Sequence, residues 1–331
     1  MNNIQESLKK IDLRDIYKNG EVFRNVSISD ALVARYYNHV AQEYRNNQNR
    51  DYSYWHPSAF GTCGRKNIFD HYNQDPKNKI RSYDYISLRS IEIFETGHLV
   101  HKKIQNRLAK IKDPWPIMYG YWRCQSCDIM MGKDSPPFGT IKPDSCSFCG
   151  RKNISYEEVR ISNEEYNVGG NCDAIVRLSP QHEFQVIDFK TCGNFTWKEY
   201  IEGNNTPINY HIVQLNAYMW LLGINSGYIF YENRDKMIHK EFFVQRDEYI
   251  VDRIKHQLRY LNYHVAQGTV PPPNDPNFIA MSEVGPNKPN CLGYGNGPTK
   301  LAPCKYYHLC WNQAFNESGG STMYDGFIKV S

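Results

Sequence analysis

The sequence predicts an α/β or α+β fold, and three observations carry that expectation. Two β-like runs at 172–178 (CDAIVRL) and 184–191 (FQVIDFKT) are separated by the turn formers Ser179 and Pro180, and they read as a hairpin. Helical periodicity returns at 210–222, closed by Gly223, and two more strands follow at 228–232 and 238–244. A long helix then spans 247–267 and stops at Gly268.

The remaining segments fit around that core. Residues 29–44 open with capping-type residues and carry apolar positions at helical spacing, which predicts an exposed amphipathic helix. Pro57 and Gly61 mark a turn before a short helix carrying Cys63. A further helix is expected over 91–108, with Phe94, Leu99, Val100, Ile104 and Leu108 as its apolar contribution. From 121 to 151, Pro, Gly, Ser and Cys replace the periodic pattern, as in a small metal-stapled insertion. After Gly268 the run PPPNDPNFIAMSEVGPNKPN is too rich in Pro and Asn for regular structure and predicts an extended strap. The expected organisation is a helical region over 1–50, a core over 51–120 and 152–270, an insertion over 121–151, a strap with cysteines over 271–315, and a flexible tail over 316–331.

Composition narrows the functional classes. No apolar run approaches the length of a membrane span, and the first residues lack the pattern of a secretory signal. The net charge of +4 is too small to mark a protein that holds nucleic acid by charge alone, whereas 25 Tyr, 15 Phe and 6 Trp offer many faces for stacking bases. Ten cysteines without a signal sequence point to metal ligation in a reducing compartment rather than disulfides. The expected location is therefore the cytoplasm of a prokaryote, or of its host if a phage encodes the chain. The Asn-, Lys- and Tyr-rich composition hints at an AT-rich genome.

The hairpin carries the chemistry. Side chains alternate along a strand, so Asp188 and Lys190 share one face and Phe189 points to the other. A turn centred between Pro180 and Gln181 sets Asp173 directly opposite Asp188. Two neighbouring carboxylates repel unless a hard cation lies between them, which implies Mg²⁺ or Mn²⁺. Such a cation polarises a phosphodiester and activates water, with Lys190 orienting that water and the Phe189 backbone carbonyl as a further ligand. Gln214 and Tyr218, four apart, share a helix face, as do His98, His101 and Gln105; His101 can complete the ligand set.

The order Gly97-x-x-x-His101, Gly170-x-x-Asp173, Asp188-Phe189-Lys190-Thr191 and Gln214-x-x-x-Tyr218 resembles the RecB-like branch of the PD-(D/E)XK nuclease superfamily, over about residues 55 to 315. The resemblance implies a restriction-endonuclease-like core, a mixed central sheet flanked by helices. It also implies that His101, Asp173 and Asp188 bind Mg²⁺ or Mn²⁺, that Lys190 assists the attacking water, and that Gln214 and Tyr218 contact DNA or brace the site.

The cysteines sort into two quartets. Cys124-x2-Cys127 and Cys146-x2-Cys149, eighteen residues apart, have the spacing of a zinc ribbon, in which two knuckles present four thiolates. Cys63 precedes the catalytic motifs and Cys291, Cys304 and Cys310 follow them. That order resembles the iron–sulfur RecB-like nucleases, including those associated with CRISPR adaptation and the AddB-type nuclease domains, and implies a [4Fe–4S] cluster. The gap from Cys291 to Cys304 is longer than is usual there, and a second zinc site, with His308 available, or buried thiols are the other readings. Cys172 and Cys192 flank the catalytic strands as core or site-wall residues.

The function these features predict is a Mg²⁺- or Mn²⁺-dependent deoxyribonuclease, an exonuclease on DNA ends or single strands. It would not act at a membrane, and its protein partners would belong to a recombination, adaptation or replication complex. Lys102, Lys103, Arg107, Lys110 and Lys112 offer a phosphate track or a solvated helix face. The alternatives are a nuclease-like module that binds DNA or a partner without cleaving, and a purely structural zinc protein. The intact Asp173, Asp188 and Lys190 set argues against the first, and the hairpin against the second.

Overall fold

The computed structural model describes residues 35–36, 39–40, 42–44, 51–73, 88–135, 137–272, 275, 306 and 309–310. The chain divides into two units: residues 1–51 with 77–95 and 282–329, and residues 52–76 with 96–281 and 330–331. In the first, the described residues between 35 and 44 are helical, as their periodicity predicts, and Tyr36 donates its hydroxyl to Glu92 Oε1 at 2.9 Å. The expected tail over 316–331, and all of the expected strap but positions 271, 272, 275, 306, 309 and 310, lie outside the described residues.

The second unit holds the core, a mixed sheet flanked by helices. Helices α1 (Gly64–Tyr72) and α2 (Leu88–Leu108, of which Thr96 onward belongs to this unit) come first. Strands β1 (Met118–Cys124), β2 (Met130–Met131), β3 (Thr140–Ile141) and β4 (Ile154–Glu157) follow. Next come β5 (Val159–Asn163), β6 (Val168–Cys172), β7 (Ala174–Val176) and β8 (Gln185–Cys192). Helix α3 (Asn209–Leu222), β9 (Ser226–Asn233), β10 (Ile238–Gln245) and α4 (Glu248–Ala266) complete it. The sheet order is β10-β9-β8-β7-β1-β2, with β3 and β4 also on β1. β8 and β9 run parallel, joined through α3, and their neighbours are antiparallel.

Alternation along β8 divides the core between two faces. Val186 packs with Leu215, Tyr218 and Met219 of α3, whereas Ile187 and Phe189 pack with Val100 and Ile104 of α2. Of the residues expected to bury the α2 stripe, Val100 and Ile104 do so and Leu108 does in part, but Leu99 is 68% exposed and Phe94 53%. Each of those two is offset around the helix from the Val100–Ile104 row that meets the sheet. Asp247 caps α4 by accepting from Tyr249 and Ile250 N–H, and Gly223, with φ 67°, closes α3 in the left-handed conformation that favours glycine. At Gly61 a Cβ would fall 2.3 Å from the Tyr210 Cβ, so glycine there lets the first turn of α3 sit directly on the Pro57 turn.

The hairpin differs from the sequence expectation in one informative respect. Its register is the expected one, with Ala174 opposite Ile187 and Val176 opposite Gln185. The run expected as one strand over 172–178 is nevertheless broken, because Val168–Cys172 pairs with β5 in a separate two-stranded sheet before the chain crosses to β7. Asp173 sits at that switch, between the two ladders. Likewise, the module expected over 121–151 grows out of the sheet itself. β1 pairs with β7 through Met118 and Tyr119 and with β4 through Tyr121 to Cys124.

Candidate active site and metal centre

Asp188 and Lys190 lie on the same side of β8, and Lys190 Nζ donates to Asp188 Oδ1 at 2.8 Å and to Gln214 Oε1 at 2.9 Å. Gln214 in turn donates Nε2 to the Tyr218 hydroxyl at 2.9 Å, so its amide is oriented, oxygen toward the ammonium and nitrogen toward the phenol. The Asp188 side chain is fully buried, and its second oxygen, Oδ2, is buried without a hydrogen-bond partner. Asp173 Oδ2 accepts from the Phe189 N–H at 2.7 Å, a bond that ties the switch point to β8.

His101 reaches the same place from α2. Its Nδ1 lies 3.7 Å from Asp173 Oδ2, and its ring meets the Phe189 ring edge-on at 5.7 Å. Burial, reinforced by the Lys190 charge, lowers the His101 pKa to about 4, against the pull of Asp188 and a hydrogen bond to the Phe189 backbone. The imidazole is therefore neutral at pH 7, and its approach to Asp173 is not an ion pair. Burial raises the pKa of Asp173 and takes Asp188 to about 6; Lys190 opposes both shifts, and the Asp173 charge adds to the second. The expected set of His101, Asp173, Asp188, Lys190, Phe189, Gln214 and Tyr218 is thus brought together from α2, the β6–β7 switch, β8 and α3.

The pocket has further members. Gln105, one turn beyond His101, donates Nε2 both to the Asp173 backbone oxygen at 2.9 Å and to Glu158 Oε1 at 3.1 Å. Glu158 is an acid that the sequence reading missed; burial first and the Asp173 charge second raise its pKa to about 7. It sits between β4 and β5, where no spacing rule marks it. His211, one turn before Gln214, shares a 2.7 Å hydrogen bond with the Tyr231 hydroxyl, which also accepts from Ile208 N–H. Lys103 donates to both oxygens of the buried Glu232, at 2.5 and 2.7 Å, and His239 lies 2.9 Å from the same carboxylate. Lys103 is therefore spent pinning α2 to β9 and is not part of an open basic track.

Cys124, Cys127, Cys146 and Cys149 form a second centre. Their sulfurs all lie within 4.8 Å of one another, with Cys124 and Cys149 3.5 Å apart and Cys127 and Cys146 3.6 Å apart. A tetrahedral ion with bonds of about 2.3 Å separates its thiolates by about 3.8 Å, so these four can hold a metal ion. Each knuckle closes with a residue at positive φ, Asp128 at 60° and Gly150 at 71°, whose N–H donates to the carbonyl of the first cysteine. Among the described residues this is the group of three or more ligand-type side chains that converges so tightly, and His101, Asp173 and Asp188 do not reach that closeness. Cys172 and Cys192 are buried at the ends of β6 and β8 in the α3-facing core. Of the other quartet, Cys63 occupies the position just before α1 without a side-chain capping bond and Cys310 lies in a helical pair, while Cys291 and Cys304 are outside the described residues.

The fold and these two centres define a mixed α/β protein with a carboxylate–lysine cluster on its central sheet and a four-cysteine site grown from the same sheet. No family model matches the chain, and no curated protein matches it. Among solved structures it is similar to SSO0001, at 14% identity and a TM-score of 0.38, over 70% of this chain and 87% of that one. It is also similar to LHK-Exo, an alkaline exonuclease from Laribacter hongkongensis, at 18% identity and a TM-score of 0.30 over 34% of this chain and 57% of that one. A phage related exonuclease from Haemophilus somnus 129PT matches at 17% identity and a TM-score of 0.23, over 34% of this chain and 62% of that one. Likenesses this distant carry no weight for activity.

Proposed function

We propose that the chain is a Mg²⁺- or Mn²⁺-dependent deoxyribonuclease, acting as an exonuclease on DNA ends or single strands. The observation that carries this reading is the Lys190 ammonium held between Asp188 and Gln214 while Asp188 Oδ2 stays buried without a partner. A buried carboxylate oxygen with no donor is costly unless a cation takes that role. The donor set suits a hard ion: Asp173, Asp188, the neutral His101 and the Phe189 carbonyl. A cation bound there supplies Lewis-acid polarisation of a phosphodiester and activation of water.

The chain's own residues supply the rest. Two of the three Lys190 ammonium protons are committed to Asp188 and Gln214, which leaves the third for a water or a phosphoryl oxygen. Tyr218 fixes Gln214, and Gln214 fixes Lys190. Gln105 holds the backbone at Asp173 in place, so the switch point cannot drift from β8.

The four-cysteine centre is read as a zinc site that keeps the ribbon folded. The order of Cys63, Cys291, Cys304 and Cys310 in the sequence supports a [4Fe–4S] cluster. Among the described residues no helix is long and apolar enough to cross a membrane. Partners in recombination, adaptation or replication fit an enzyme of this class. The test is digestion of single- and double-stranded DNA, labelled at either end, with Mn²⁺. Stepwise release of label from one end is expected. An intact substrate with every end type would remove the exonuclease reading.

A further inference from the structure

Helix α2 carries His101 into the candidate active site and then delivers its end to the ribbon. Leu108 and Ala109 pack in one cluster with Met118, Trp122 and Ile154. The Lys142 ammonium, from the loop after β3, stands over the Trp122 ring at 5.9 Å. Lys112, three residues past the cluster, donates to Asp144 at 2.5 Å. Residues from two separate parts of the chain therefore converge. Burial and the nearby charges of Lys110 and Lys112 also make Lys142 easier to deprotonate than a free lysine, and the Lys152 charge adds a smaller pull on Asp144. Lys112 and Lys142 thus stand at this spot with Asp144, and the charges of Lys110 and Lys152 are felt there.

An assembly of like charges is unfavourable by itself and becomes favourable against a polyanion. Along α2 the nine residues from His101 to Lys110 rise about 13 Å, or about four base steps of a duplex. We propose that Lys110, Lys112, Lys142 and Lys152 form a binding site for the DNA phosphate backbone, gripping the strand about four nucleotides from the scissile bond. This site deepens the nuclease reading and rests on it for its substrate. It also gives the ribbon a task, which is to carry Lys142 and Lys152 to the end of α2.

The experiment measures binding of a long labelled DNA duplex, in Ca²⁺ to withhold cleavage, by the wild type, by the triple variant K110Q/K112Q/K142Q and by Asp144→Asn. Hydrolysis of bis(p-nitrophenyl) phosphate with Mn²⁺ serves as the activity that needs no grip. The triple variant is expected to bind at least about tenfold more weakly, with a salt slope smaller by about 2 to 3, and to hydrolyse the small diester normally. Asp144→Asn removes the carboxylate that pairs with Lys112 and is expected to bind more tightly, which decides the matter even if the triple variant folds poorly. Unchanged affinity and salt slope in all variants would overturn the site while DNA cleavage by the wild type leaves the nuclease reading standing. Charge-dependent binding without hydrolysis of any phosphodiester would do the reverse.

Discussion

The ribbon and the carboxylate cluster hold their ligands in opposite ways. The four cysteines come from two short knuckles, so spacing alone brings them together, and their sulfurs lie within 4.8 Å of one another. The cluster around Asp188 draws on α2, the β6–β7 switch, β8 and α3, and neighbours orient its members: Gln214 orients Lys190, Tyr218 orients Gln214, Phe189 N–H orients the Asp173 carboxylate and Gln105 the Asp173 backbone. A local site can be lost without the fold, whereas a distributed site is part of the core. The two should therefore respond differently to the same kind of damage.

The largest effect is expected on chemistry. Lys190→Ala should lower DNA cleavage by about a thousandfold or more, since it removes the ammonium that the proposed reaction aims at the attacking water. Because Lys190 also compensates the buried Asp188, that variant should lose about 3 kcal/mol of stability as well, read as a lower denaturation midpoint. Tyr218→Phe, which leaves the Lys190 contacts in place, should keep most of the stability, and an equal loss would show that the Lys190 effect does not come from compensation of the Asp188 charge.

Damage to the ribbon should be confined. Cys124→Ser or Cys146→Ser is expected to release one zinc per chain and unfold the module beyond β1, while Mn²⁺-dependent hydrolysis of short DNA persists. Global unfolding of those variants would show that the ribbon, grown from the central sheet, is integral to it. Protein prepared without oxygen should in addition carry iron and labile sulfide that Cys63→Ser or Cys304→Ser removes. Two zincs and no iron would eliminate the cluster.

A smaller effect separates the sites by pH. The Asp188 pKa is raised by burial to about 6, so its charged form is the one the fold disfavours. Without metal, the contribution of this group to stability should be fully present below the unfolded aspartate range and be lost as pH rises through about 6. Saturating Mn²⁺ binds the ionised form and should raise the thermal midpoint by about 5–10 °C at pH 7.5, and by much less at pH 5. A shift independent of pH would place the ion elsewhere. His101→Ala should weaken Mn²⁺ binding without abolishing it, seen as a higher Mn²⁺ concentration for half-maximal cleavage.

How much of this was legible in the sequence follows the same division. The ribbon was readable from Cys124, Cys127, Cys146 and Cys149, since both knuckles are local. The β7–β8 register was readable because the turn fixes it, and Gln214 with Tyr218 because both lie on one helix. Glu158 was invisible, since only the pairing of β4 with β1 and of β5 with β6 carries it to Gln105 and Asp173. The change of sheet at Asp173 was invisible too, because a single β-like run does not reveal which partner each half takes. Lys103 looked like its basic neighbours, and only the buried Glu232 on a distant strand sets it apart.

In the proposed enzyme, Asp188 anchors a metal-dependent phosphodiester-cleaving site. The most direct test compares Mn²⁺-dependent digestion of end-labelled DNA by the wild type and by Asp188→Asn, purified side by side. The substitution keeps the shape of a fully buried side chain and removes its charge. Cleavage by the wild type that requires Mn²⁺ or Mg²⁺ and is lost in a folded Asp188→Asn protein is the predicted result. Equal cleavage by both proteins, or none by the metal-loaded wild type, would contradict the account.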